Sequence, residues 1–157
     1  MINLHPNATW NNKGETVAGY NSTLSHPFGI YVDDDQTIYI ADSGNNRIIA
    51  WKAGEIDGEV IAGGQGQGNG LHQLNEPTDV ILDKENDSLI ICDSKNKRIV
   101  RWSRQNKING EIIHSNVSCF SLKMDRNKTL YIVDKDNHQV KRYRMDEFQE
   151  TIVAGSK

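Results

Sequence analysis

The sequence predicts an all-β protein made of three copies of one four-stranded antiparallel unit. Three segments of the chain align, and Asp42, Asp93 and Asp134 share one position of the alignment, 51 and 41 residues apart. Each segment consists of short β-branched runs separated by Gly, Asn and Asp turns, which is the pattern of antiparallel strands. No stretch keeps the apolar period of an amphipathic helix, so the prediction contains strands and turns only.

The first repeat predicts four strands, near residues 28–33, 37–41, 47–52 and 58–62. The same pattern of four strands and their turns recurs twice, so that the three repeats occupy residues 26–63, 76–114 and 118–155. Four strands in a meander form one blade of a β-propeller, and about 40 to 50 residues is the length of such a blade. We therefore expect a partial β-propeller of antiparallel four-stranded blades, in a single domain spanning residues 1–157.

Residues 1–19 repeat the end of a blade. The segment 16–19 ends as 60–63 does, and Trp10 precedes it as Trp51 precedes the later copy. We expect the tail of a preceding blade here, followed by three full blades. Because a blade buries its faces only against other blades, both ends of this arc need a cover. We expect self-association or missing blades to close the ring; a two-fold dimer is hindered because the third repeat already has its own fourth strand.

The repeats resemble the NHL family over nearly the whole chain. In the first repeat the residues that fit the family pattern are Pro27, Gly29, Ile30, Val32, Asp33, Ile38, Tyr39, Ala41, Asp42, Asn45, Asn46, Arg47, Ile48 and Trp51. The second repeat keeps Asp93 and Arg98 but has Asp79 where glycine is usual. The third is the most divergent, with Gln139 in place of arginine and Asp134 retained. NHL propellers usually close with about six blades, so the resemblance implies about half a ring.

Composition is typical of a soluble globular protein, with 157 residues, 25% of them charged and 36% hydrophobic. No apolar run approaches the roughly 20 residues of a membrane span. The first residues lack the features of a signal peptide, so either the protein is made in the cytosol or its true N-terminus lies elsewhere.

The charges are unevenly distributed along the chain. Residues 1–80 carry 3 basic and 10 acidic side chains, and residues 81–157 carry 15 basic and 11 acidic side chains. This asymmetry indicates either a charged interaction face or a drifting composition on a solvated surface.

The two cysteines, Cys92 and Cys119, are too few for a disulfide framework or a zinc site. One bridge between them is compatible with the sequence. Both lie in apolar, strand-like segments, which favours two separate buried thiols.

Five Asn-x-Ser/Thr sequons are candidate N-glycosylation sites: Asn7, Asn21, Asn86, Asn116 and Asn127. Composition alone would give roughly two, and the excess favours a secreted or cell-surface parent protein. The alternative is that Asn, Ser and Thr are simply frequent in turns.

A polar motif, Asp-x-x-Asn-x-Arg, follows the second strand of the first two repeats and recurs with glutamine for arginine in the third. It could form a charged ligand site, but Asp and Asn at tight turns normally bond to the backbone. A feature that recurs in every blade is expected to stabilise the fold. We assign a structural turn role to Asp42, Arg47, Asp93, Arg98 and Asp134.

Other motifs do not complete a known chemical site. The glycine-rich stretch 63–70 lacks the Gly-Lys-Ser/Thr and the helix of a phosphate-binding loop. Residues 33–35 lack the spaced oxygen ligands of an EF-hand, and the histidines form no close metal pair. The sequence contains no Gly-x-Ser-x-Gly element. We therefore predict no catalytic residue, no metal site and no cofactor.

The candidate binding site lies in loops at one rim. In a four-stranded meander, the turn between strands two and three shares a rim with the connection to the next blade. Variable loops on a regular frame are where recognition usually sits, and the glycine-rich connection 63–76 is expected to be mobile enough to adapt. The candidate binding residues are Gln65, Asn69, His72, Gln73, Lys95, Lys97, Lys135 and His138.

These observations favour a non-catalytic scaffold that binds a protein or peptide, with the lysines favouring an acidic partner. The NHL resemblance implies two alternatives. One is half of a metal-dependent propeller enzyme of the amidating-lyase or lactonase type. The other is the substrate-recognition end of a tripartite-motif ubiquitin ligase or an RNA-binding NHL propeller. Nucleic acid is the less favoured partner because the acidic first half opposes binding to phosphate.

Circular dichroism in the far ultraviolet tests the fold class. We expect a strand-dominated spectrum with a helical contribution well below about one fifth, because the repeat contains only strands and turns. A larger helical fraction would contradict the repeat assignment.

Overall fold

The computed structural model of the chain describes residues 13–19, 23–145, 147 and 149–155. Within these residues it contains twelve strands and two single-turn 3-10 helices, and the predicted all-β class is confirmed. The strands are β1 (Pro27–Val32), β2 (Ile38–Asp42), β3 (Arg47–Trp51), β4 (Glu59–Gly63), β5 (Pro77–Asp83), β6 (Ser88–Asp93), β7 (Arg98–Ser103), β8 (Gly110–Ser115), β9 (Cys119–Met124), β10 (Thr129–Asp134), β11 (Gln139–Arg144) and β12 (Gln149–Gly155). The helical turns are Ser43–Asn45 and Ser94–Asn96. In the same part of the chain, no helix has the length and apolarity needed to cross a membrane.

The strands form three four-stranded antiparallel sheets, one for each sequence repeat. Blade 1 contains β1 to β4, blade 2 contains β5 to β8 and blade 3 contains β9 to β12, each as a meander in chain order. The four strands of blade 1 begin and end within one residue of the bounds predicted from the sequence. The first strands of the blades, β1, β5 and β9, are neighbours. The architecture is therefore the partial β-propeller expected from the repeat.

The hydrophobic core lies between the blades. Successive side chains of a strand point to opposite faces of its sheet, so each blade offers one apolar face to each neighbour. The core between blades 1 and 2 includes Tyr39, Ala41, Ile48, Ala62, Leu74, Val80, Leu89, Ile91, Val100 and Trp102. The core between blades 2 and 3 includes Ile81, Ile90, Cys92, Ile99, Val117, Cys119, Leu122, Leu130, Ile132 and Tyr143.

A buried aromatic residue lies near the end of the third strand in each blade. Trp51 and Trp102 are each 1% exposed, and Tyr143 takes the position in blade 3. Glycines at the approach to the fourth strand leave room for the indole rings. A Cβ on Gly58 would lie 2.6 Å from Trp51 Cε3, and a Cβ on Gly110 would lie 2.7 Å from Trp102 Cε3. The tryptophan and glycine positions of the repeat are therefore coupled by packing.

Residues 13–19 lie beside blade 1 in the way that β4 lies beside blade 2. Ala18 belongs to the apolar cluster around Trp51, as Ala62 belongs to the cluster around Trp102. The segment has bends and coil, with no strand assignment in its described residues. That this segment is the tail of a preceding blade therefore remains a prediction. The remainder of the predicted tail, residues 1–12, lies outside the described residues.

Cys92 and Cys119 form a disulfide between blades 2 and 3, with their Cα atoms 5.3 Å apart. Both are completely buried in the core between those blades. The preference for two separate thiols was wrong, although burial was predicted correctly. The apolar segments indicated burial, but whether two strands of different blades place their cysteines opposite one another depends on how the sheets stack.

Reduction of this disulfide tests the contact. The bridge closes a loop between residues 27 positions apart, so its loss is expected to lower the free energy of unfolding by about 2–4 kcal/mol. The measurement is urea denaturation with and without reductant. A variant with both cysteines replaced by serine should unfold at the same urea concentration in both conditions. Equal midpoints for the oxidised and reduced wild type would contradict the bridge.

Candidate functional site

Buried aspartates fix the rim turns to the sheets. Asp93, at the end of β6, is fully buried. Its Oδ1 accepts a hydrogen bond from Asn75 N at 2.7 Å. Its Oδ2 accepts from Asn96 Nδ2 at 2.8 Å and from Arg98 Nε at 2.6 Å. Asp42 has the corresponding three partners in blade 1. The contacts are those expected of a structural turn, because each carboxylate joins a backbone amide of the connection to the first residue of the third strand.

The third copy of the motif uses a lysine from β11 in place of the arginine. Lys141 Nζ lies 2.9 Å from Asp134 Oδ2, which also accepts from Asn137 Nδ2 at 2.8 Å. Burial acts to raise the pKa of Asp134, but the hydrogen bonds from Asn137 and Lys141 outweigh it and lower the pKa. Asp134 Oδ1 is buried without a hydrogen-bond partner in the described residues. This turn is therefore the least satisfied of the three.

Arg98 organises the glycine-rich connection between blades 1 and 2. Its side chain is 6% exposed. The guanidinium donates to the carbonyl oxygens of Asn69, Gly70 and Gln73 at 2.8, 3.0 and 3.0 Å. Leu74 of the same connection is completely buried in the core. The expectation of a mobile loop does not match these contacts, because backbone-directed bonds and a buried anchor hold the connection in place.

Asp79 stands at an inner-strand position that is Gly29 in blade 1 and Ser121 in blade 3. Its Oδ2 accepts from Ser121 Oγ and from Leu122 N, both at 2.8 Å. Its Oδ1 accepts from Val80 N at 2.9 Å. A Cβ on Gly29 would overlap this carboxylate, so the glycine of blade 1 leaves the space that Asp79 uses. Asp79 ties blade 2 to blade 3, and both of its oxygens are occupied within the fold.

Four of the eight predicted binding residues lie on one rim, in the turns that follow β6 and β10. They are Lys95, Lys97, Lys135 and His138, all exposed. Lys95 Nζ lies 3.8 Å from Glu76 Oε2, and Lys97 Nζ lies 3.2 Å from Asp136 Oδ2. Each of these ion pairs joins two exposed side chains. Exposed pairs contribute little to stability, so these lysines remain available to another carboxylate.

The other four predicted residues lie along the connection between blades 1 and 2. Gln65 and His72 line a groove of about 490 Å³ with residues 107–109. Those residues belong to the loop between β7 and β8, at the far end of blade 2 from the rim. Leu71 O accepts a hydrogen bond at 2.7 Å from Gly110 N in the same region. The connection therefore runs down blade 2 and places His72 near the loop before β8, away from the rim lysines. The remaining two are partners of Arg98, as described above.

The sequence-based site omitted two exposed aromatic residues at the inner edge of the rim. Phe28 of β1 and Phe120 of β9 share one repeat position, which is Thr78 in blade 2. Their ring centroids are 6.3 Å apart in an edge-on arrangement, and they are 55% and 41% exposed. Lys135 Nζ lies 5.9 Å from the Phe120 centroid. Phenylalanine recurring at one position was the available signal, but the repeat alone does not distinguish a core position from an exposed one.

Two grooves flank this aromatic pair. One, of about 410 Å³, includes His26, Phe28 and Glu76 in its lining. The other, of about 510 Å³, includes Phe120, Lys135 and His138. An exposed aromatic pair beside lysine side chains suits a ligand that presents an apolar or aromatic group next to a carboxylate. We name Phe28, Phe120, Lys135 and His138 the aromatic rim site.

No group of three or more His, Cys, Asp and Glu side chains is arranged to hold a metal ion within the part of the chain that the structure describes. Three of the sequons are described, and Asn86, Asn116 and Asn127 are all exposed. Asn86 Nδ2 donates to Asp83 Oδ2 at 2.6 Å. Asn7 and Asn21 lie outside the described residues.

Comparisons with known proteins agree with the repeat and the fold. The NHL repeat model matches residues 24–51. A chain of a nidogen/laminin complex has 16% identity and a TM-score of 0.68, covering 84% of this chain and 48% of that one. A catalytically inactive virginiamycin B lyase from Staphylococcus aureus with quinupristin has 14% identity and a TM-score of 0.57, covering 83% and 42%. Hydrazine synthase from Kuenenia stuttgartiensis has 12% identity and a TM-score of 0.60, covering 92% and 38%. The chain thus spans less than half the length of these structures, and at these identities the likeness concerns the fold alone. The comparison with curated sequences gave no match.

Replacement of Asp93 by alanine tests the structural role of the turn motif. The change leaves the Arg98 guanidinium buried without its carboxylate, so we expect a loss of about 3 kcal/mol or more in the free energy of unfolding. Asp136→Ala is the matched control, because it removes an exposed carboxylate from the neighbouring blade and should cost about 0.5 kcal/mol or less. The measurement is urea denaturation of both variants. Equal stability of the two would show that the buried aspartate is not a structural anchor.

Proposed function

We propose that this chain, which carries an NHL repeat and folds as a partial propeller, is a non-catalytic scaffold that binds a protein or peptide at its rim. The observation that carries the proposal is the aromatic rim site. Phe28 and Phe120 are large apolar side chains exposed beside each other on the inner strands. Exposed aromatic residues that lie together on a rigid frame are typical anchors of protein recognition.

The charges of the rim favour an acidic segment of the partner. Lys95, Lys97 and Lys135 are exposed on adjacent blades. The first two each pair with an exposed acid, so a ligand carboxylate can replace those acids at little cost. Lys135 lies over the Phe120 ring. An apolar or aromatic side chain flanked by Asp or Glu would therefore meet complementary groups at this site.

The polar groups most suited to chemistry are engaged in holding the fold together. Asp42 and Asp93 accept bonds from the turn residues, and Asp79 accepts bonds from β9. These contacts support a binding role in preference to a metal-dependent lyase or lactonase. The enzyme alternative would be favoured if zinc or calcium remained with the purified protein.

Peptides selected from a displayed random library against the whole chain provide defined probes. Their dissociation constants can be measured by fluorescence anisotropy. We expect Phe120→Ala and Lys135→Glu each to weaken binding by about tenfold, which corresponds to roughly 1.4 kcal/mol. Double charge reversal of Lys95 and Lys97 should reduce the salt dependence of affinity because fewer cations then face the ligand.

Arg126→Glu is the matched control for charge. Arg126 is exposed in the turn between β9 and β10, at the end of blade 3 opposite to the rim. Its reversal changes net charge as Lys135→Glu does, but it should leave affinity unchanged. If the selected peptides bound the Phe120 and Lys135 variants as tightly as wild type, the aromatic rim site would not be the binding site.

A further inference from the structure

We infer that Asn127 carries an N-linked glycan, in the turn between β9 and β10 of blade 3. Asn127, Lys128 and Thr129 form an Asn-x-Thr sequon, which is the acceptor of this modification. The other explanation for such an asparagine is that the turn in which it lies needs its side chain. Each blade has a turn at this place, so the three blades together separate the two explanations.

The turn between the first two strands of each blade contains one residue in a left-handed conformation. The φ angle of that residue is 66° in blade 1, 45° in blade 2 and 58° in blade 3, for Gln36, Asp87 and Lys128. The residue before it is Asp35, Asn86 or Asn127. Short polar side chains at such a position normally bond to the turn itself.

In blades 1 and 2 this side chain is part of the turn. Asp35 Oδ1 accepts a hydrogen bond from Thr37 N at 2.9 Å. Asn86 Nδ2 donates to Asp83 Oδ2 at 2.6 Å, and Asp83 is 1% exposed. The nitrogen of Asn86 that would bear a sugar is therefore held against a buried carboxylate.

In blade 3 a different residue stabilises the turn. Asp125 Oδ1 accepts from the backbone N of Asn127 and from that of Thr129, both at 2.9 Å. Asn127 is exposed, and its side-chain amide makes no hydrogen bond within the part of the chain that the structure describes. The turn therefore does not account for an asparagine at this position, whereas the sequon does.

The third described sequon begins at Asn116 and has a different explanation. The φ angle of Asn116 is 59°, in the left-handed region that asparagine adopts more readily than most residues. The backbone of the connection between blades 2 and 3 thus accounts for asparagine there. Asn127 has no positive φ angle, so neither its backbone conformation nor the hydrogen bonds of its turn call for an asparagine.

The disulfide is an independent observation that points to the same compartment. Cys92 and Cys119 are bridged across the interface of blades 2 and 3, and both are completely buried. Bridges of this structural kind form and persist in the secretory pathway and outside the cell, and are rare in the cytosol. N-linked glycans are added in that pathway, so the bridge and the sequon are consistent with one another.

The transfer forms a bond between Asn127 Nδ2 and the anomeric carbon of the first sugar of a lipid-pyrophosphate-linked oligosaccharide. The bond from that carbon to the pyrophosphate oxygen breaks, the lipid pyrophosphate leaves with the electron pair, and Nδ2 loses one of its two hydrogens as a proton. No oxidant or reductant takes part. Thr129, whose hydroxyl completes the sequon, is 6% exposed in the folded protein. The transfer therefore precedes the folding of β10.

Asn127 lies at the end of blade 3 opposite to the aromatic rim site. Phe120 is the second residue of β9 and Asn127 follows the end of that strand, so roughly 15 Å of extended chain separates the two. A glycan on Asn127 therefore leaves the rim open to a partner. The modification does not depend on the proposed binding role, and the two are tested by different measurements.

The test uses the native protein that contains this chain, purified with an antibody from the cells that make it. Peptide-N-glycosidase in heavy-oxygen water converts a glycosylated asparagine to labelled aspartate, which mass spectrometry locates. We expect the label at residue 127 and not at residue 86. Alkylation before reduction should leave Cys92 and Cys119 unmodified, because their disulfide forms in the same compartment. An unlabelled residue 127, or free thiols at both cysteines, would overturn the proposal.

Two glutamine variants made in the same cells form a matched pair, because they change the same turn position in adjacent blades. Asn127→Gln should lose one glycan, measured as a lower mass of the intact protein. Asn86→Gln should keep the glycan content of the wild type, and so should Thr129→Ser, which preserves the sequon. An Asn127→Gln protein with the same glycan content as the wild type would contradict the assignment. Equal losses from the two glutamine variants would do so as well, since the two positions would then be equivalent.

Discussion

Every blade of this protein depends on its neighbour for a hydrophobic core. A four-stranded sheet has two apolar faces and can bury neither of them alone. The effect is visible at equivalent positions, since Val80 between two blades is completely buried and Ile30 at the end of the arc is 59% exposed. The stacking of the blades also sets the positions of the inner strands, and the inner strands set the position of the rim. The disulfide between Cys92 and Cys119 reinforces one of these interfaces covalently.

The rim is bound to this stack through buried carboxylates. Asp93 holds the backbone of the incoming connection, and Arg98 extends the same network to three carbonyl oxygens of the glycine-rich segment. A rim held in this way would lose little conformational entropy on binding a partner. A Cβ on Gly63 or Gly68 would collide with neighbouring atoms, so these two glycines of the connection allow close packing. Phe28 and Phe120 share this rigidity because each lies within an inner strand.

The predicted rim location agrees with the structure for residues in the turns after the second strands, and it does not agree for His72 in the connection between blades 1 and 2. Lys97 and His138 lie on the rim because they follow the second strand of their blades. His72 was assigned to the same rim from its place in the connection. In the structure it lies beside the loop before β8, at the other end of blade 2. Phe120 was not recognised, because its exposure depends on what covers the inner edge of blades 1 and 3. These outcomes concern location, and binding at the rim remains a proposal.

The sequence by itself determined the repeat, the strand bounds of blade 1 and the turn chemistry of Asp42 and Asp93. Those features depend on local backbone geometry and on residue period, both of which are written in consecutive residues. Only the tertiary structure decided that Cys92 meets Cys119 and that Phe28 meets Phe120. Contacts of this kind join residues far apart in the chain through the twist and spacing of neighbouring sheets, and neither quantity leaves a periodic trace in the sequence.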